Sequence, residues 1–251
     1  IPFIASLVLV LVGLWMRMTL HESHVYREAE AKGKTSQAPV KDVMAKHMKP
    51  ILQGTFIMAA TYVLFYIMTA FVQIYSKHPV GLSEFGHPKG LGIPANTFTG
   101  FLLIGAVVFG IFISLSGVYA DKMGRRRFLI LVSSAILLFG LCMPLFLTHG
   151  SPSSVLAFLL IGMALMGMTF GPMAALLPEL FPTEVRYSGA SLAYNLSAIV
   201  GASVATMVAI WLNDHYGIFG VGVYLAVNCA LTLIALFSTH ETKDVDLTQT
   251  H

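Results

Sequence analysis

The chain has 251 residues, 56% of them hydrophobic and only 11% charged, with a formal net charge of +3. A soluble domain carries about a quarter charged residues, so this composition excludes a soluble enzyme, and a mean hydropathy of +0.78 reads as a polytopic helical membrane protein. So small a net charge gives no reason to expect a nucleic-acid partner.

Seven runs reach the roughly 20 residues that a bilayer core requires. They are 2–20, 51–76, 97–120, 128–148, 154–177, 188–212 and 218–239, and the predicted fold class is an all-α membrane helical bundle. The chain opens with Ile1-Pro2-Phe3, already apolar and without an initiator Met. A cleaved signal peptide has a charged start and a small-residue exit; neither is present, so the expectation is a piece of a longer protein. The connection 21–50 is charged, and its 39–49 part suits a short amphipathic helix on the membrane surface. The connection 77–96 is rich in Gly and Pro and predicts an irregular external loop. Cys142 and Cys229 lie inside apolar runs, which argues against a disulfide framework. No Cys/His spacing suggests a metal site, and no motif calls for a cofactor.

Lys and Arg divide unequally between the two sides. Arg17, Arg27, Lys32, Lys34, Lys41, Lys46, Lys49, Lys122, Arg125, Arg126, Arg127, Arg186 and Lys243 collect on one side, against Lys77 and Lys89 on the other. The positive-inside rule makes the first side cytoplasmic, with the C-terminus inside and Ile1 outside. That is also the topology of a seven-helix receptor, although the last span has no Lys to hold a retinal-type chromophore. A faint repeat joins the two ends: Thr19-Leu20-His21-Glu22-Ser23 and Ser238-Thr239-His240-Glu241-Thr242 each close a span at the cytoplasmic face. Duplicated six-helix halves are a recurring plan among secondary transporters.

Two polar stretches stand out. Gly117 to Arg127 follows G-x-x-x-D-K-x-G-R-R, a basic turn between apolar runs that must lie in water. Gly117 and Gly124 allow close passage and a sharp turn, and Asp121 carries charge that a neighbouring helix N-terminus can use. The second stretch is Leu177 to Gly189, in which Pro178 ends a span and Pro182 breaks the turn. Ser188 is then placed to cap the next helix. Glu179 and Arg186 are placed to pair at the surface, a contact worth little by itself.

The G-x-x-x-D-K-x-G-R-R turn resembles the signature loop of the major facilitator superfamily, which recurs after its second and eighth helices. Pro178-Glu179-Leu180-Phe181-Pro182-Thr183, with Arg186 and Gly189, is similar to that superfamily's loop between helices ten and eleven. Leu177 through Asn195 is most similar to the metabolite:proton symporters, a group that includes transporters of shikimate, alpha-ketoglutarate, citrate and proline/betaine. The resemblance covers the chain as helices six to twelve. It implies the last helix of an N-terminal half over 1–20, a cytoplasmic linker over 21–50, a six-helix C-terminal half over 51–239 and a cytoplasmic tail over 240–251. It implies a secondary transporter of a small organic acid or zwitterionic metabolite in the bacterial inner membrane, by proton symport and alternating access. A passive facilitator of the same fold is the alternative. The partners implied are the metabolite, protons, membrane lipid and the missing N-terminal half.

The resemblance also assigns roles. Gly117, Asp121, Gly124, Arg125, Arg126, Glu179 and Arg186 become a conformational switch, with Asp121 facing the helix that begins near Ser188 and pairing with Arg125. Helices seven and ten of this superfamily line the cavity, here the second and fifth spans. The second carries Thr55, Tyr62, Tyr66, Thr69 and Gln73 at helical spacing, opposite Ile57, Ala60, Leu64, Ile67, Phe71 and Ile74. The fifth carries Thr169, with Gly171-Pro172 able to kink it, and the sixth adds Asn195. Tyr62, Tyr66, Thr69, Gln73, Thr169 and Asn195 are the expected substrate contacts. No Asp, Glu, His, Lys or Arg lies mid-span, so a coupling carboxylate must come from outside these spans.

Overall fold

In a computed structural model the described residues are 2–19, 39–148 and 151–239, and all their regular structure is helical. Helices dominate because hydrocarbon offers no partner to a backbone N–H or C=O, so each span must satisfy its own. In chain order they are α1 (Pro2–Thr19), α2 (Pro39–Lys46), α3 (Met48–Lys77), α4 (Ala95–Met123), α5 (Arg125–Leu141), α6 (Met143–Leu147), α7 (Pro152–Glu179), α8 (Arg186–Ser197) and α9 (Ala205–Ser238). Residues 21–38 of the expected 21–50 linker, the 240–251 tail and most of the pentapeptide repeat lie outside the described residues.

Each expected run is helical, and among the described residues four helical stretches are long and apolar enough to cross a membrane; several connections are shorter than the sequence suggests. The basic turn shrinks to Gly124. α4 runs on through Asp121 to Met123 and α5 begins at Arg125, with Gly124 at φ 97° and ψ 131° making the reversal. Likewise the expected 213–217 connection shortens to Gly217 (φ 69°, ψ −171°), a non-helical break that divides α9 into two helices and brings Gly220 back against Leu212. α7 contains Pro172 and Pro178 within one continuous helix, so Pro178 does not end that span. Its start follows capping logic, with Ser151 accepting the Ser154 N–H at 3.1 Å and Pro152 in the first turn. α8 starts at Arg186 after Val185, with no side-chain cap, so Ser188 does not cap it. The fourth span is interrupted at Cys142, and α6 completes it.

The bundle packs α4 on α7, α9 on both α3 and α5, and α8 on α3. Its core has two parts. One joins Leu64, Phe71 and Tyr75 of α3 to Ile136, Phe158 and Leu225; the other, towards the basic end, joins Ile57 to Leu129, Leu177, Phe181 and Leu236. The amphipathic α2 is present and adds Val43 to this second part. Gly117 of the basic motif has open space where a Cβ would stand; the close approach of α4 to α7 is made by Gly167 and Gly171 instead. A Cβ on either would come within 2.7 Å of a backbone carbonyl, that of Phe109 or of Ile113. Small residues four apart are the usual device for such close crossings in membranes.

The 77–96 connection is ordered rather than irregular. Its return leg zips onto the end of α3 through Leu91 N–H to Tyr75 O (3.2 Å), Gly92 N–H to His78 O (2.9 Å) and Ile93 N–H to Ser76 O (2.8 Å). Its tip is a small hairpin pairing Leu82 with Pro88. The tip is pinned to α9, with Ser83 Oγ donating to Asp214 O at 2.8 Å and Asn213 Nδ2 to Pro88 O at 3.1 Å. Phe85 stacks on His215 at 4.2 Å, and His215 on Trp211 at 4.4 Å.

Candidate functional site

Two arrangements bear on function: a polar face on α3 and α8, and a charged clamp at the basic end. On α3, Tyr62, Tyr66, Thr69 and Gln73 are half-buried, while Ile57, Ala60, Leu64, Ile67 and Phe71 are buried against neighbouring helices. The split expected from helical spacing therefore holds for most of the span. It fails at both ends. Thr55 is buried, with its carbonyl taken by Ser197 Oγ at 2.6 Å, and Ile74 is exposed.

A π turn over Ile67–Phe71 accounts for Ile74. The Val72 N–H reaches back five residues to Ile67 O, which inserts one extra residue and rotates the remainder of α3 by about 100°. A second π turn, Ala198–Ala202, comes after α8, with Ser203 N–H on Ala198 O at 3.2 Å. There Gly201 lies so close to α3 that a Cβ would stand 2.9 Å from Tyr62 Cβ. Neither π turn was visible in the sequence; the only local hint is the small-residue run Ala198, Gly201, Ala202.

Tyr194 of α8 extends the face, its ring meeting Tyr62 edge-on at 5.6 Å. Asn195 is exposed beside it, with Nδ2 donating to Ser191 O at 2.8 Å and the amide oxygen left for other partners. Thr69 donates to Phe65 O at 2.7 Å, so its oxygen can still accept. Thr169 does not join this face. It is 1% exposed and its hydroxyl donates to Met166 O at 2.8 Å, which makes it part of α7 packing.

At the basic end, the Gly124 reversal sends two successive arginines to different helices. Arg125 ion-pairs with Glu179 at the end of α7 and lies 3.3 Å from Asp121. Arg126 Nε donates to Leu236 O at 2.8 Å and Nη2 to Phe237 O at 3.3 Å, with the guanidinium over the Phe237 ring. Cations placed on terminal carbonyls complement the negative end of a helix dipole. Gln53 adds a further tie, its Nε2 donating to Ser238 O at 3.0 Å.

Two expected contacts of this cluster are different in the structure. Glu179 meets Arg125, not Arg186, because Arg186 folds back to donate from Nε to Phe181 O at 3.3 Å, with its Nη2 buried and unpartnered. Asp121 does not meet the start of α8. α4 packs on α7, and the Asp121 side chain is 66% exposed with Arg125 as its polar partner among the described residues.

Comparison with known proteins fits this helical architecture: the model of the Major Facilitator Superfamily matches residues 1–204. The chain belongs to the Major Facilitator Superfamily. Membership in this superfamily places it among membrane transport proteins rather than enzymes. A Haemophilus influenzae protein whose name proposes metabolite transport is 66% identical over 99% of this chain and 57% of its own length. The inner membrane metabolite transport protein YhjE of Escherichia coli is 47% identical over 98% of this chain and 55% of its own. A proline/betaine transporter of Salmonella typhimurium is 28% identical over 97% and 48%. The chain thus spans about half the length of the curated relatives it matches. No solved structure matches it. As a superfamily member related to inner-membrane proteins of Gram-negative bacteria, it is an integral protein of the bacterial inner membrane, with an all-α helical bundle covering part of that fold.

Proposed function

We propose that this chain forms one half of a secondary transporter that moves a small organic acid or zwitterionic metabolite by alternating access. The observation that carries the reading is the half-buried polar face of Tyr62, Tyr66, Thr69 and Gln73, continued by Tyr194 and Asn195. In a free-standing bundle such a face would meet lipid at a cost; against a companion half it becomes one wall of a polar cavity. The names of the relatives, metabolite transport and proline/betaine transport, support the substrate class. On this reading α1 belongs to the companion half, 21–50 links the halves, and α3 to α9 form the C-terminal half.

The same reading gives Tyr62, Tyr66 and Gln73 the task of orienting the substrate. A cation from the companion half meets its carboxylate, and a titratable group there couples transport to protons, since these spans carry none mid-membrane. The Arg125–Glu179 pair and the Arg126 contacts to α9 hold one of the two conformations, and their release accompanies rocking of the halves.

Cysteine accessibility in the full-length protein tests the surface. Reaction of a Cys at 62, 66, 69 or 73 with a water-soluble thiol reagent should be slowed by substrate. A Cys at 64 or 71, both buried among helices, should show no such protection. Equal behaviour on both faces would make the stripe helix-packing glue. Uptake that does not respond to an externally applied proton gradient would identify a passive facilitator.

A further inference from the structure

The ordered 77–96 hairpin lines, with the part of α9 just before its break at Gly217, a cavity of about 160 Å³. Its apolar wall includes Phe71 and Tyr75 of α3; its polar groups are His78 and Lys89 of the hairpin and Asn213 and Asp214 of α9. By the positive-inside count this is the outer mouth of the bundle. It begins more than a helical turn beyond Tyr66, and Gln73, the polar-face residue in the same stretch of α3, does not line it.

Three features mark it as more than a packing defect. Asn213 is only 3% exposed and spends Nδ2 on Pro88 O, yet its Oδ1 is buried without a hydrogen-bond partner. Buried polar atoms are nearly always partnered, so an orphan in a cavity wall marks a place for a donor. Lys89 and Asp214 line the same space, and neither has an ion-pair partner among the described residues. The walls are held in place by the return-leg ladder, the Ser83–Asp214 bond and the Phe85–His215–Trp211 stack. They form a built site, not a collapsed loop.

We infer that this cavity is an outer binding site for a small zwitterion of amino-acid size. Its carboxylate meets Lys89 and His78; its ammonium meets Asp214 and the free Asn213 Oδ1. The volume is close to that of an engineered cavity of ~150 Å³ that holds benzene, which limits a ligand to about seven non-hydrogen atoms. Opposite charges on one rim select for a ligand carrying both, since a plain anion or cation leaves one wall charge desolvated and unpaired. The inference is independent of the central polar face and of whether transport is proton-coupled.

Equilibrium binding of radiolabelled L-serine to the purified full-length protein tests it, with lactate and ethanolamine as single-charge competitors. L-Serine should bind, and neither competitor should displace it at equal concentration. Lys89→Gln and Asp214→Asn should each weaken binding by at least about tenfold, the loss of a charge-assisted contact. Ile74→Trp, at an exposed position beside the cavity, should block the site without removing a charge. L-Serine binding that is lost in Tyr66→Phe but kept in the three outer variants would belong to the central face and overturn the outer site. Thermal unfolding without ligand checks that each variant is folded. No L-serine binding up to about 10 mM, equal displacement by lactate or ethanolamine, or binding that survives all three outer variants would overturn the assignment.

Discussion

The ring of Tyr62 on α3 meets the ring of Tyr194 on α8 edge-on, with centroids 5.6 Å apart and planes at 70°. This contact joins two helices across the open polar face, at the level where the second π turn brings Gly201 against α3. An aromatic pair of this geometry contributes about 0.5–1.5 kcal/mol beyond its buried area. Tyr194→Ala should therefore raise the half-saturation concentration for transport by about two- to tenfold, with membrane insertion unchanged. Tyr194→Phe keeps the ring and should restore most of it, the remainder being the hydrogen bond between the Tyr62 and Tyr194 hydroxyls. Uptake kinetics in proteoliposomes of the full-length protein decide the matter, and wild-type kinetics for Tyr194→Ala would detach the pair from the substrate surface.

Glu179 and Asp121 both face Arg125, but in different surroundings. The Glu179 side chain is 12% exposed and that of Asp121 66%, with Arg125 at 21%. A charge-assisted contact sheltered from water contributes about 1.5–3 kcal/mol, whereas an exposed i,i+4 pair contributes about 0.3–0.5 kcal/mol and is screened by salt. Glu179→Gln should lower the thermal midpoint measurably, and Asp121→Asn should leave it nearly unchanged. The opposite order would mean that Asp121 has a stronger partner, as the family resemblance had implied for the start of α8.

Gly171 of α7 faces α4 closely, whereas Gly117 of α4 presents its α-carbon to open space. A Cβ on Gly171 would crowd the Ile113 carbonyl at 2.7 Å, while one on Gly117 meets nothing within 4 Å. Gly171→Ala should force α4 from α7 and cost about 1–3 kcal/mol, the usual range for overpacking. Gly117→Ala should be tolerated. Yield of folded protein and its melting temperature give the comparison, and equal sensitivity would show that Gly117 is needed by a contact outside this bundle.

Gly124 carries the reversal between α4 and α5 at φ 97°. A Cβ there costs of order 1–3 kcal/mol of backbone strain. Relieving it would swing Arg125 and Arg126 away from Glu179 and the Leu236 carbonyl together. Gly124→Ala should thus destabilise more than Glu179→Gln alone, and combining the two should cost less than their sum, since both act through one clamp. Additive losses in melting experiments would separate the turn from the clamp.

Much of this protein was legible from residue order. A helix period and a run of about 20 apolar residues are local properties in a bilayer, so the spans, the amphipathic 39–46 helix and the packed side of α3 follow from spacing. The G-R-R turn and the 177–189 stretch pointed to the superfamily because their residue types are held at short, fixed separations. Other features depended on residues far apart in sequence. Thr55 is buried where α8 packs on α3, with Ser197 on its carbonyl, and Thr169 on a face of α7 enclosed in the bundle. Glu179 chose Arg125 over Arg186 because a single glycine, Gly124, turns α5 towards the end of α7. The π turn at Ile67–Phe71 moved Ile74 to the surface, and no propensity scale marks a one-residue insertion in a helix. The 77–96 segment reads as a loop by composition, and its order comes from Ser83, Phe85 and Pro88 meeting α9 more than 120 residues later. Periodicity reports which residues share a face; only the assembled helices decide which face finds a partner.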